Sequence, residues 1–173
     1  SVRRYLHSIT GDVDFQKHGD RFVFIKEDSY VDGIHVYSHL AHHHAQPLGD
    51  RTLLIKSDDG KFVKDAFRHE LAFVVGDVLF TGCAHNGILN ILESIQEPVR
   101  LSIGGFHLLD SHLSEHYETD EQLRDISSEL ARRYPDMDFY TGHCTGEHCY
   151  GVLSEEKGLQ LHQFHCGDEI GIG

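Results

Sequence analysis

The tightest constraint on this chain is a change of rhythm between residues 70 and 95. "ELAFVV" (70–75) and "DVLFT" (77–81) are short apolar runs joined by Gly76-Asp77, a junction that predicts a tight hairpin. Directly afterwards Ile88, Leu89, Ile91, Leu92 and Ile95 fall at the spacing of an amphipathic helix, closed by Pro98. Before this point the candidate elements are strands: "RFVFIK" (21–26), "GIHVY" (33–37) and "TLLIK" (52–56). After it, strand and helix alternate. "VRLSIGG" (99–105) reads as a buried strand, "TDEQLRDISSELARRY" (119–134) as a helix, and "MDFYT" (137–141) as a strand. "EHCYGVLSEEKG" (147–158) reads as a short helix stopped by Gly158, and "LQLHQFH" and "DEIGI" as closing strands. In the 119–134 segment Thr119 and Gln122 have capping-box spacing, acids fill the first turn and Arg132-Arg133 the last. The result is an α/β layout with one linker-like stretch over 39–51.

At 173 residues, 39% hydrophobic and 25% charged, the chain has the size and balance of one globular domain. A net charge of −13, from 28 acidic and 15 basic residues, argues against a nucleic-acid backbone binder. No apolar run approaches the ~20 residues of a membrane span, and the first residues lack a signal peptide's apolar stretch. Four scattered cysteines (Cys83, Cys144, Cys149, Cys166) do not make a disulfide framework and point to a reducing, cytoplasmic setting.

Histidine is the compositional outlier, with 16 residues. "TGCAHNG", "IGGFHLL" and "TGHCTGEH" each follow an apolar run and set a histidine beside glycine. Loops leaving the carboxyl ends of strands line the ligand crevice of open α/β sheets, so His85, His107 and His143 are expected to converge at one end of a sheet. Imidazole and thiolate suit zinc and similar transition metals. Cys83 and Cys144 read equally as ligands or as small buried hydrophobes; Cys149 and Cys166 read as packing residues. His42-His43-His44 reads as a solvated loop, and His69-Glu70 as either a pair supporting the site or a surface pair.

Together, "DAFRHELAFVVGDVLFTGCAHNGILNILES", "LSIGGFHLL", "FYTGHCTG" and "GDEIGIG" resemble the metallo-β-lactamase-fold hydrolases. The group they resemble most is the 7,8-dihydropterin-6-methyl-4-(β-D-ribofuranosyl)aminobenzene-5′-phosphate synthase-like one. The resemblance covers residues 62–173, the motif-bearing C-terminal half; residues 1–61 fit a variable middle section, so 1–173 forms a single or partial domain. It implies an αββα sandwich with a one- or two-metal site at the edge between its sheets. It also implies His85 and His143 as metal ligands, with Cys83 standing where the superfamily places an acidic bridging ligand. His107, with the backbone of Gly104 and Gly105, is implied to face substrate. The family's His-x-His-x-Asp-His element is absent from this sequence. The expectation is therefore a C-terminal portion that needs a complementary N-terminal segment or subunit, or a homo-oligomer, to cover its exposed apolar face.

The chemistry implied is metal-assisted hydrolysis with one or two divalent ions, zinc foremost and manganese or iron as substitutes, on a phosphate-bearing or pterin-like small molecule. Two other readings compete. One is a structural zinc module held by Cys83, His85, His143, Cys144, His148 and Cys149. The other is a degenerate half-domain that binds partners.

Overall fold

The computed structural model describes residues 19–57, 59–112, 116–142 and 144–172. Nine strands are assigned among them: β1 (Ser29–Val31), β2 (Ile34–Tyr37), β3 (Leu54–Lys56), β4 (Phe62–Lys64), β5 (Ala72–Val75), β6 (Val78–Thr81), β7 (Leu101–Ile103), β8 (Asp138–Thr141) and β9 (Gln160–Gln163). The helices are α1 (Ile88–Ser94), α2 (Asp120–Arg133) and α3 (Glu147–Leu153). Seven strands form one sheet in the order β1-β2-β5-β6-β7-β8-β9, and β3 and β4 form a separate ribbon.

The change of rhythm is a change of sheet type. From β1 to β6 the pairing is antiparallel, and Gly76-Asp77 is the two-residue turn between Val75 and its partner Val78. Gly76 has φ +63°, which a residue without Cβ adopts at little cost. From β6 to β9 every pair is parallel, and α1, α2 and α3 are the successive crossovers that parallel pairing requires. Val74, Leu79 and Phe139, from β5, β6 and β8, face these helices. Ile88, Ile91 and Leu92 of α1, Leu123 and Leu130 of α2, and Val152 and Leu153 of α3 complete that core. The capping box at Thr119 is formed in both directions, with Gln122 N–H on Thr119 Oγ1 and Thr119 N–H on Gln122 Oε1.

Several expectations need correcting. The 21–26 segment is not a strand: a 3₁₀ turn at Gly19–Arg21 leads into irregular chain, and Val23 is 71% exposed. No strand forms over 168–172. α3 stops at Leu153, with Ser154 N–H bonded to Tyr150 O, well before Gly158. The 39–51 stretch is no linker. Ala41 N–H donates to Ser94 Oγ (2.8 Å), and Asn90 on α1 clasps His44 through both its N–H (2.8 Å) and its C=O (2.9 Å). A 3₁₀ helix at Leu48–Thr52 then brings Asp50 to 1% exposure. Among the described residues, no helix is long and apolar enough to cross a membrane.

Candidate metal centre

Three parallel strands end side by side, and their outgoing loops carry the glycine-flanked motifs. Gly105 N–H donates to Gly82 O (2.9 Å) and Gly104 N–H to Tyr140 O (3.0 Å), which locks the ends of β6, β7 and β8 together. Glycine is required here by contact. A Cβ on Gly105 would strike Cys144 Sγ, and one on Gly104 would strike the Thr81 side chain and backbone. Gly104 and Gly105, expected to orient substrate, thus sit in the wall that brings Cys83 and Cys144 together.

Two donor groups meet at this edge. Cys83, His107 and Cys144 each offer an atom within 4.8 Å of the others, and so do Asp50, His85 and His107. His107, expected to face substrate, belongs to both. His143 lies outside the described residues. Asp50 has no motif around it, and sequence reasoning missed it; its only signal is an acid in the turn-forming string "PLGDR".

The backbone holding these groups is unusual. Ala84 (φ +57°), His107 (φ +50°) and Phe67 (φ +47°) all occupy the left-handed region, which costs a non-glycine residue on the order of 1–3 kcal/mol. The 84–87 turn is fixed by Glu70. Its carboxylate accepts His85 N–H (2.7 Å), Asn86 N–H (2.7 Å) and the Asn86 side-chain amide (2.7 Å). Of the two readings of His69-Glu70, Glu70 therefore supports the site. Burial raises its pKa, against the pull of the Asn86 and His85 bonds. Phe67 stacks flat on the His85 ring, with centroids 4.2 Å apart and planes 7° apart.

Asp50 Oδ1 lies 2.6 Å from His85 Nδ1 and 3.3 Å from His107 Nε2. Burial opposes charge on His85, but the bonds to Asp50 and Cys83 prevail and lift its pKa to about 9. A carboxylate on Nδ1 orients the ring and leaves Nε2 as the ligand atom. The Cys83 thiol is pulled far below its usual range by the Cys144 thiol, then by His107 and His85. Cys144 is pushed upward in turn, first by Cys83 and then by burial. The pair therefore carries one readily formed thiolate, the ligand form of cysteine.

The residues fit a transition metal. His107 is 9% exposed, and its buried ring nitrogens make no well-formed hydrogen bond among the described residues, Nε2 lying only in ion-pair range of Asp50 Oδ1; Asp50 Oδ2 is likewise buried with no hydrogen-bond partner there. Buried polar atoms rarely stay unsatisfied. Donors around a tetrahedral zinc lie roughly 3.3–3.8 Å apart for bonds of about 2.0–2.3 Å, so the observed spacing is within reach of small side-chain movements.

The ligand set of a structural zinc module does not assemble among the described residues. His148 is exposed and paired with Asp120 (2.8 Å). Cys149 is core, and burial raises its thiol to about 12. Cys166, expected to pack, is exposed.

No family model matches the chain. Among curated proteins it is 31% identical over 119 residues to MJ0448, an uncharacterised protein of Methanocaldococcus jannaschii, covering 66% of this chain and 41% of that one. It is 28% identical over 126 residues to the same organism's 7,8-dihydropterin-6-methyl-4-(beta-D-ribofuranosyl)-aminobenzene-5'-phosphate synthase, covering 68% and 40%. The chain thus spans about four-tenths of these relatives' length. Among solved structures it superposes on Tm1679, a metal-dependent hydrolase of the beta-lactamase superfamily. The TM-score is 0.69 at 26% identity, over 87% of this chain and 58% of that one. In sequence and in architecture, this chain carries the metallo-β-lactamase fold and resembles part of a metal-dependent hydrolase of that superfamily.

Proposed function

We propose that the chain supplies one side of the active site of a metal-dependent hydrolase acting on a phosphate-bearing or pterin-like small molecule in the cytoplasm. The observation that carries this reading is the convergence of Asp50, His85, His107, Cys83 and Cys144, with Asp50 Oδ2 and the His107 ring nitrogens buried and making no well-formed hydrogen bond among the described residues. His85, His107, Cys83, Cys144 and Asp50 would hold the metal, with His143 completing the set. One or two divalent ions would polarise the scissile bond's oxygen and lower the pKa of water. Soft thiolate donors favour zinc, and manganese or iron would be weaker occupants. Asp50 orients the His85 ring, and Glu70 fixes the turn that presents it. The positive φ of His107 holds its imidazole at the junction of the two donor groups.

The remaining ligands would come from a complementary segment or subunit, or from a second copy of the chain, seated on the sheet face that the helices leave open. The curated relatives are more than twice the length this chain spans in them, which supports a complementary segment over self-assembly.

Cobalt(II) titration of metal-free chain tests the centre. The expected result is a near-ultraviolet thiolate-to-cobalt band that saturates at one or two equivalents, shrinks in Cys83→Ala and Cys144→Ala, and is weakened in His107→Ala. Absence of the band would mean that the cysteines are packing residues. Zinc-loaded chain, alone and mixed with the complementary segment, is then assayed on bis-p-nitrophenyl phosphate. Turnover that needs both zinc and His107 supports hydrolysis, and metal binding without turnover in the completed protein argues for a binding module.

A further inference from the structure

Cys83 and Cys144 follow β6 and β8, which are not neighbours: β7 lies between them. Adjacent strands are about 4.8 Å apart, so side chains two strands apart are normally separated by those of the strand between. Here the chain leaving β7 is Gly104-Gly105 and offers no side chain. A Cβ on Gly105 would strike Cys144 Sγ and lie 3.6 Å from Cys83 Cα. The two cysteines share the space that this missing Cβ leaves. Cys144 Sγ reaches the Cys83 carbonyl oxygen (3.6 Å), and the two sulfurs lie within 4.8 Å of each other. A disulfide bond is about 2.0 Å long, which leaves at most about 3 Å for rotation of two side chains to close.

The other cysteines are placed differently. Cys149 packs in the helix-covered core, and Cys166 is exposed. Cys83 and Cys144 are both half-buried, so the pair is neither sealed in the core nor part of the open surface. Two thiols so placed suit a bond within one chain, and a small oxidant suits the partial exposure.

We propose that Cys83 and Cys144 are a redox modification site, which a peroxide oxidises to a reversible disulfide across the end of β7. One sulfur attacks a peroxide oxygen, and the O–O bond breaks to give a sulfenic acid and one water. The other sulfur then displaces the sulfenic oxygen as a second water and forms the S–S bond. The two thiols lose two hydrogens and two electrons in all, and the peroxide takes them up. A dithiol reverses the change by exchange. A consequence rests on the metal-centre reading above: the bond withdraws both sulfur donors, because thiolate is the ligand form, and leaves Asp50, His85 and His107. Oxidation and full metal loading then exclude each other.

Metal-free chain, kept dilute to suppress links between molecules, is treated with stoichiometric hydrogen peroxide, alkylated and mapped by mass spectrometry. The expected product is a single chain joined between the peptides of Cys83 and Cys144, lighter by two hydrogens and restored by dithiothreitol. Cys83→Ser and Cys144→Ser should each form no internal link and carry sulfinic acid on the remaining sulfur of the pair. The wild-type map decides the outcome even where a variant fails to fold. Zinc at about tenfold its dissociation constant should slow the bond about tenfold, and the oxidised chain should show no thiolate-to-cobalt band until it is reduced. A disulfide that forms as fast with zinc as without it upholds the modification site and overturns the metal reading. Sulfinic acid on separate cysteines of the wild type, a bond to Cys149 or Cys166 instead, or thiols left unchanged would each overturn the proposal.

Discussion

Glu70 shows how far one buried side chain can reach. Its two oxygens serve three donors of the 84–87 turn, so Glu70→Ala leaves three buried N–H groups unpaired. The expected loss is about 2–4 kcal/mol, read as a fall in the urea midpoint at unchanged slope. Because that turn also presents His85, metal affinity should fall by about 10–100-fold in any Glu70→Ala that still folds. Gly105→Ala separates packing from ligation: its Cβ would displace the Cys144 sulfur, so the cobalt–thiolate band should weaken even though every donor remains. An unchanged band in Gly105→Ala would show that Cys144 is not a ligand. The sequence pointed to Cys83, His85, His107 and His143 because glycine and cysteine beside histidine at strand ends form a local pattern. Asp50 and Glu70 show no such pattern. Their role comes from burial beside residues 35 and 15 positions away, which no local spacing records.

Glu93 of α1 ties three elements together. It accepts Arg133 from α2, His44 through Oε1 (2.9 Å) and His43 through Oε2 (2.9 Å). The Arg133 guanidinium, then His44 and His43, hold the carboxyl at about 2, below its ordinary 4.5. A depressed carboxylate contributes stability above its unfolded pKa and loses it as pH falls through the folded one. This cluster should therefore support the 43–44 segment above about pH 4.5 and release it toward pH 2. Glu93→Gln should remove about 1 kcal/mol or less at neutral pH. The stability difference between wild type and variant should vanish on acidification, as followed by chemical denaturation from pH 6 to pH 2. A difference that persists at pH 2 would mean that charge is not what Glu93 supplies. This cluster also explains why the 39–51 stretch was misread. His42-His43-His44 and "QPLGD" are polar and proline-bearing, as linkers are. What orders them is Asn90, Ser94 and Glu93 on a helix about 50 residues later. α2, by contrast, was legible almost to the residue, because its caps, terminal charges and apolar stripe are all local.

The large sheet has two unlike faces. Val74, Leu79 and Phe139 are nearly inaccessible under the helices, at 2%, 0% and 0% exposure. On the opposite face Phe73 pairs with Phe80, Phe80 with Ile103 and Ile103 with Tyr140, one apolar row across β5 to β8. Phe73 and Val75 on that face are 36% and 43% exposed. An exposed apolar row of this kind is where the proposed complementary layer would seat. The two faces should answer oppositely to mutation. Phe139→Ala opens a void under α2 and α3 and should cost about 3–5 kcal/mol. Phe73→Ser combined with Val75→Thr removes no buried core and should change stability by less than about 1 kcal/mol, while reducing self-association of the chain in sedimentation velocity. The double variant should also lose affinity for a separately produced N-terminal segment of the longer relatives' kind. If it associates and pairs as the wild type does, the open face is ordinary surface, and the proposed complementary layer would have to seat on the ribbon side, where Phe62 and Val63 of β4 are also exposed.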